Sequence, residues 1–301
     1  MSKVRFGFLL LILLGGASVL YFLYKSQLHA PLGLSFSPAF QLLGKSTKAL
    51  STTLTRVLPI NEMDEKEFGE TLAIGFLAIA DETDKDYVYL NKLIKELSIF
   101  SKKDFHYRVF VISTPIPNAF ALPGGGICVT KGLMETLKSE AQIVSVLSHE
   151  IGHIERGHCF EAIKYELTFN KINSPAIGQL ADFTFNIFMR HSFSKTQEND
   201  ADEYGYRLLL QTKYDPMAFS AAFVELQKAE GNAEEKYVDI FSDYFDTHPP
   251  LRLRILKFSS MASAWWIDNN EAGKRYNGIQ NFNDRIPLTE SSFSEEWIIN
   301  N

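Results

Sequence analysis

Residues 139–157, SEAQIVSVLSHEIGHIERG, narrow the folding choices of this chain more than any other stretch. Ser139 followed by Gln142 is the pattern of a helix N-terminus closed by reciprocal side-chain hydrogen bonds. Ile143, Val144, Val146, Leu147, Ile151 and Ile154 then recur at helical spacing, and Gly157 is a natural stop. The segment predicts an amphipathic helix. His149 and His153 stand four apart, one turn from each other on the same face. Glu150 lies about 100° around the axis from His149. Two imidazoles so placed can present ring nitrogens to one Zn²⁺ at about 2.0–2.1 Å, with the carboxylate in reach of water at an open position. A solvated face with two surface histidines is the plain alternative.

Charge divides the chain unevenly. There are 30 Lys+Arg against 36 Asp+Glu, a net charge of −6, and no basic stripe, so nucleic acid is a poor partner. Every acid lies at or beyond Glu62, while Lys3, Arg5, Lys25, Lys45, Lys48 and Arg56 precede it. Phe6–Tyr24 carries no charge, and 19 helical residues span about 30 Å, one bilayer core. We read residues 1–25 as a membrane anchor, with a cleaved signal peptide or a mitochondrial leader as alternatives. Lys3 and Arg5 ahead of the run favour a cytoplasmic N-terminus, which puts the rest outside the cytoplasm. That placement implies a bacterial inner membrane and periplasm, with the mitochondrial inner membrane as the alternative. Residues 26–60 read as a linker with a short amphipathic helix around Phe40–Leu58. Cys128 and Cys159 are too few for a disulfide framework and read as two buried thiols.

Downstream, Glu62–Ala80 and Tyr87–Phe100 predict helices, and Tyr107–Ser113 and Ile127–Thr130 predict strands. Ser194 with Gln197 repeats the capping pattern, and Asp215-Pro216 opens a further helix. Helices dominate and strands are few, which gives an α+β class. A third metal ligand must come from outside the His-Glu-x-x-His helix. Glu198 is the best candidate, with Asp202 one turn on as a hydrogen-bond acceptor for a ligand histidine. A solvated acidic face explains the same spacing equally well.

Four segments, in order, resemble a known family. They are Asn118-Ala119-Phe120-Ala121-Leu122-Pro123-Gly124-Gly125, then His149–His153 continued to His158, then Ser194–Asp202, then Thr247-His248-Pro249-Pro250 with Arg254-Ile255. They are similar to the zinc metallopeptidases grouped with the CAAX prenyl protease, bacterial HtpX and the mitochondrial OMA-type protease. Lys195 departs from the arginine common there. The resemblance implies a mostly helical gluzincin fold with a small sheet beside the active-site helix, behind one N-terminal transmembrane helix. It implies one zinc held by His149, His153 and Glu198, with Glu150 as general base and Asp202 in support. Endopeptidase action on unfolded or membrane-associated proteins follows, consistent with envelope quality control. A zinc-bound, chaperone-like protein with latent proteolysis is the alternative. His248, fixed by the prolines after it, reads as an oxyanion donor or as a fourth ligand at rest.

The domain bounds expected are 1–25 for the anchor, 26–60 for the linker, 61–270 for the metallopeptidase domain and 271–301 for a C-terminal tail. Pro123-Gly124-Gly125-Gly126 lacks the Gly-Lys-Ser/Thr of a phosphate loop, so nucleotide binding is rejected. It reads instead as a turn into an edge strand, where a polypeptide substrate adds a strand near Gly125–Thr130. Ala176–Met189 is too short to span a bilayer and reads as a helix packed over the active site, or as a membrane-dipping segment. Trp265 and Trp266 read as packing residues.

Overall fold

The computed structural model describes residues 64–169, 177–188, 193–231, 251–269 and 274–299. Asp64 caps the first helix through the Glu67 N–H, and α1 (Glu65–Leu77) buries Phe68, Leu72 and Phe76. Asp84 caps α2 (Lys85–Ser98), whose Tyr89, Leu90, Leu93, Ile94 and Leu97 face inward. The strands β1 (Arg108–Ile112), β2 (Ala119–Ala121) and β3 (Gly126–Thr130) follow, then α3 (Lys131–Thr136) and the long α4 (Glu140–Glu155). Next come α5 (His158–Phe169), α6 (Ile177–Phe188), α7 (Lys195–Leu210), α8 (Ala218–Gly231) and α9 (Leu251–Asp268). The described chain closes with β4 (Arg275–Tyr276), α10 (Ile279–Asp284) and β5 (Trp297–Ile298). The class is α+β, mostly helical, with small sheets. No described helix is long and apolar enough to cross a membrane. The anchor expected at residues 1–25 and the linker at 26–60 lie outside the described residues, as does His248.

Local signals set the helix ends. Ser139 caps α4 by accepting from Gln142 N, but the Gln142 side chain accepts from Lys138 N rather than returning to Ser139. Ser194 and Gln197 form the full reciprocal box on α7. Gly157 ends α4 in the left-handed region, at φ 74°. The helix expected from Asp215-Pro216 begins later, at Ala218, because the Asp215 carboxylate holds Met217 N in a turn first.

The sheet corrects one expectation. Its order is β1-β3-β2, with β3 parallel to β1 and antiparallel to β2. Ile127–Thr130 is therefore the central strand, and all of β3 is buried. Its backbone is engaged on both sides, so no substrate strand can add at Gly125–Thr130. The difference lies in β2, whose three residues Ala-Phe-Ala carry little strand signal of their own. β2 is the edge. Thr130 N bonds Asn118 O and Leu122 N bonds Gly126 O. The even-numbered residues thus face β3, and Ala119 and Ala121 turn their backbone groups to the open side. That side faces α4.

α4 runs through the core, burying Ile143, Val144, Leu147, Ile151 and Ile154. Residues 274–299 clamp its start. Glu140 N bonds Gly278 O and Ala141 N bonds Asn277 O, so two of the helix's orphan N–H groups are satisfied from the C-terminal stretch. Tyr276 and Phe282 are buried there. The Glu140 carboxylate accepts from Tyr89 OH, Tyr214 OH and Leu288 N at 2.6–2.8 Å. Cys128 and Cys159 are both buried free thiols.

Burial raises the Glu140 carboxyl to about 7, against the three hydrogen bonds that pull it down. Between about pH 4.5 and pH 7 the folded protein keeps a proton that the unfolded chain has released. The unfolded state then binds fewer protons, so stability falls as pH rises through that window, by at most about 3 kcal/mol. Urea unfolding between about pH 5 and pH 8 should show this slope in wild type and a flatter one in Glu140→Gln. Parallel curves for the two proteins would assign the slope to other groups.

Candidate metal centre

α4 and α7 meet where neither can carry a side chain. A Cβ on Gly152 would lie 2.6 Å from the Ala201 carbonyl oxygen. One on Gly205 would lie 2.8 Å from both N and Cα of His149. This backbone contact brings the first turn of α7, with Glu198, over the face of α4 that carries His149 and His153. All three side chains are buried.

The donor atoms converge. His149 Nε2 and His153 Nε2 are 3.2 Å apart, His153 Nε2 is 3.5 Å from Glu198 Oε1, and His149 Nε2 is 3.8 Å from Glu198 Oε2. Tetrahedral coordination at about 2.0–2.1 Å separates neighbouring ligand atoms by about 3.3–3.4 Å. The two histidine nitrogens stand close to that spacing, and the two Glu198 oxygens lie a little beyond it, one towards each histidine. Among the described residues this is the group of His, Cys, Asp and Glu that can hold a metal ion.

Each histidine is oriented by its other nitrogen. His149 Nδ1 lies 2.8 Å from Asp202 Oδ1. His153 Nδ1 lies 3.1 Å from His158 Nδ1, and the Phe193 ring stacks on His153 at 4.1 Å. Burial pushes the His153 imidazole down to about 3, so it is neutral and offers a lone pair. On His149 burial also opposes charge, but Asp202 outweighs it and the net shift is upward. Asp202 in turn receives two hydrogen bonds from Arg254, Nε at 2.8 Å and Nη2 at 2.5 Å. Arg254 Nη1 reaches to 3.6 Å of Glu198 Oε2, and the guanidinium sits 4.0 Å over the Phe223 ring.

Glu150 is buried beside the pair, and burial raises its carboxyl to about 7. It accepts a hydrogen bond from the backbone N–H of Ala121, on the open side of β2. The charges decide what the site takes. Glu150, Glu198 and Asp202 are three buried acids against the single guanidinium of Arg254, so the cluster favours an added cation. Uncompensated charge in such a setting costs several kcal/mol per ion, at about the scale that shifts protons instead.

The structure thus brings His149, Glu150, His153, Glu198 and Asp202 into one cluster. It adds Arg254, His158 and the Ala121 N–H, for which the sequence reading had no role. Arg254 and His158 both stood inside quoted motifs, but only the fold shows what they touch. Beside His149 and Glu150 lies a pocket walled by Leu133, Val146, Phe219, Phe223 and Leu226.

The model of Peptidase family M48 matches residues 87–262, more than half of the chain. The chain belongs to peptidase family M48. Within it, the chain is 27% identical over 217 residues to the mitochondrial metalloendopeptidase OMA1 of Schizosaccharomyces pombe. That match covers 70% of this chain and 61% of the relative. The Arabidopsis thaliana OMA1 is 35% identical over 153 residues, 48% of this chain and 29% of the relative. The metalloprotease LoiP of Escherichia coli is 29% identical over 154 residues, 48% of this chain and 57% of the relative. The chain therefore spans about three fifths or less of the length of these M48 relatives. The matched region contains every residue of the cluster described above.

Gly205→Ala tests whether the helix spacing sets the metal site. The added methyl should cost about 1–3 kcal/mol of stability by overpacking. It should also weaken zinc affinity about tenfold or more, measured by competition with a chelating dye. Unchanged zinc affinity in a destabilised variant would show that the α4–α7 spacing has slack.

Proposed function

We propose that this chain is a zinc-dependent endopeptidase acting on unfolded or membrane-associated polypeptides. One observation carries the reading: two histidines and a glutamate converge in one buried group that can hold a metal ion, with the buried Glu150 carboxyl beside them. His149, His153 and Glu198 would hold the metal. Bound zinc supplies Lewis acidity that polarises the peptide carbonyl and lowers the pKa of water. Glu150 takes the proton from the attacking water as the O–C bond forms. It then delivers that proton to the amide nitrogen as the C–N bond breaks. Ala121 N–H keeps Glu150 in place for both transfers. Asp202 keeps the proton on His149 Nδ1, which leaves Nε2 free to ligate.

Substrate backbone fits the open edge of β2, where Ala119 offers its N–H and C=O beside α4. The pocket of Leu133, Val146, Phe219, Phe223 and Leu226 then takes an apolar side chain next to the scissile bond. His248 is proposed as the oxyanion donor, worth about 2.7–4 kcal/mol in the transition state. The localisation proposed is membrane-anchored, with the peptidase domain outside the cytoplasm.

Glu150→Gln should keep its zinc and lose hydrolysis by about 10²–10⁴-fold. Zinc content together with digestion of an unfolded protein measures both. Near wild-type digestion would sink the mechanism, while zinc binding without any digestion by wild type would favour the chaperone-like alternative. Ala222→Phe narrows the apolar pocket. It should cut kcat/KM for peptides with Leu or Phe in that subsite by about 10–200-fold relative to Ala peptides. Equal losses for both peptide sets would place the subsite elsewhere.

A further inference from the structure

The two histidines of the metal centre are not held alike. His149 Nδ1 lies 2.8 Å from Asp202 Oδ1, and Asp202 is itself fixed by two hydrogen bonds from the Arg254 guanidinium. His153 Nδ1 meets another imidazole, His158 Nδ1, at 3.1 Å. Beyond it, His158 Nε2 stands 4.0 Å from Asp200 Oδ2, outside hydrogen-bond distance, and that aspartate side chain is 42% exposed. The support behind His149 ends on a buried ion pair, whereas the support behind His153 ends at the surface.

A single hydrogen bond also leaves one freedom open. The torsion about the Cβ–Cγ bond of a histidine is broad and has no narrow wells. The Nε2 lone pair lies in the ring plane, so turning the ring about that bond swings the lone pair off the metal position. At His153 an aromatic face stands in the way. The Phe193 ring lies along the imidazole, with centroids 4.1 Å apart and planes 27° apart. Phe193 is buried, and Phe188 stands behind it at 6.2 Å. Phe188 in turn stacks on Phe120 of β2 at 6.4 Å and 18°. Three rings thus connect His153 to the sheet.

The place of Phe193 in the chain gives it a second hold. It immediately precedes Ser194, the N-cap of α7. An apolar residue there ordinarily packs against the fourth residue of its own helix, which fixes the angle at which the chain enters. Here the fourth residue is Glu198, whose carboxylate belongs to the metal cluster. Phe193 is laid instead on His153, the histidine whose Nε2 is 3.5 Å from Glu198 Oε1. One side chain therefore touches one ligand and stands at the entry of the helix that carries another.

We propose that Phe193 is a positioning residue for the metal: its ring fixes the plane of the His153 imidazole and, through the start of α7, the approach of Glu198 to it. The inference rests on the metal-binding part of the proposed function and not on the peptidase chemistry.

Full-length wild type and variants should be compared by zinc competition with a chelating dye and by the visible absorption of the Co²⁺-loaded protein. Phe193→Leu keeps an apolar side chain and removes the flat face. It should weaken zinc affinity about tenfold or more and change the cobalt band, while Phe193→Tyr, which keeps the face, should hold both near wild type. Phe282→Leu removes the same ring at the other end of α4, where Phe282 is buried against Tyr89. It should lower stability and leave the cobalt band as it was. Unchanged zinc affinity and an unchanged band in Phe193→Leu would overturn the proposal, and an equal change of band in Phe282→Leu would reduce Phe193 to a core residue. Where Phe193→Leu does not fold, Phe188→Leu takes its place, because it removes the ring behind Phe193. An unchanged band there would overturn the proposal as well. Both readouts are of the metal, so a wild type that binds zinc and digests nothing counts against the peptidase reading alone.

Discussion

Two missing side chains set the distance between α4 and α7. At Gly152 and Gly205 the backbone of one helix lies where a Cβ of the other would stand, with separations of 2.6 and 2.8 Å. Ligand convergence follows from that contact. A histidine pair one turn apart on α4 defines two corners of a metal site by helical geometry alone. The third corner belongs to a separate helix, and its place is only as accurate as the packing between the two. Larger residues at 152 or 205 would hold the axes at ordinary side-chain separation, and Glu198 would no longer reach within 3.5 Å of His153. The glycines weaken each helix taken singly, by about 1 kcal/mol against alanine. That loss is accepted where backbone approach is the requirement.

Charge is the second constraint. A core that buries Glu150, Glu198 and Asp202 within one cluster needs cations of its own. Arg254 is one, and its fork suits the task because a single guanidinium spans both oxygens of Asp202 and still reaches towards Glu198. A lysine could not divide itself this way. The arrangement also ranks the carboxylates. Asp202 is held below its ordinary range: its burial opposes ionisation, but Arg254 and His149 outweigh it. Burial, with the nearby Glu198 charge, keeps Glu150 higher, against His149, the Ala121 N–H and Arg254. Two buried acids of one cluster are thus shifted in opposite directions.

The parts of this design visible in the sequence are those encoded locally. Ser139, Ser194 and Gly157 mark helix ends because capping involves groups within three or four residues. The spacing of His149, Glu150 and His153 is itself the geometry. Glu198 and Asp202 showed as a same-face pair, but spacing alone could not separate a ligand from a solvated face, and the family resemblance decided it. What stayed hidden is non-local. Arg254 is 52 positions from Asp202, and nothing around it foretells that pairing. β2 carries no strand signal of its own, and nothing in β3 marks it as central, because pairing order is a property of the sheet and not of either strand. The stretch Asn277–Asp284 has no apolar period, yet its backbone caps α4.

α4 is held at both ends by groups with no part in the chemistry. At its start, Gly278 and Asn277 accept its free N–H groups, while Glu140 ties in Tyr89, Tyr214 and Leu288. At its finish, Lys103 Nζ donates to Ile154 O at 2.7 Å, a cation placed against the negative end of the helix dipole. Glu155 beside it fastens the loop through the N–H groups of Lys102 and Lys103. A helix fixed in this way offers its histidines as a rigid reference. What leans on it is the edge strand β2, and α7 with its Arg254 brace from α9. Of these, α7 carries the third ligand and β2 the backbone that holds Glu150. Any displacement of α7 against α4 therefore moves Glu198 relative to both histidines, and any displacement of β2 moves the backbone beside Glu150.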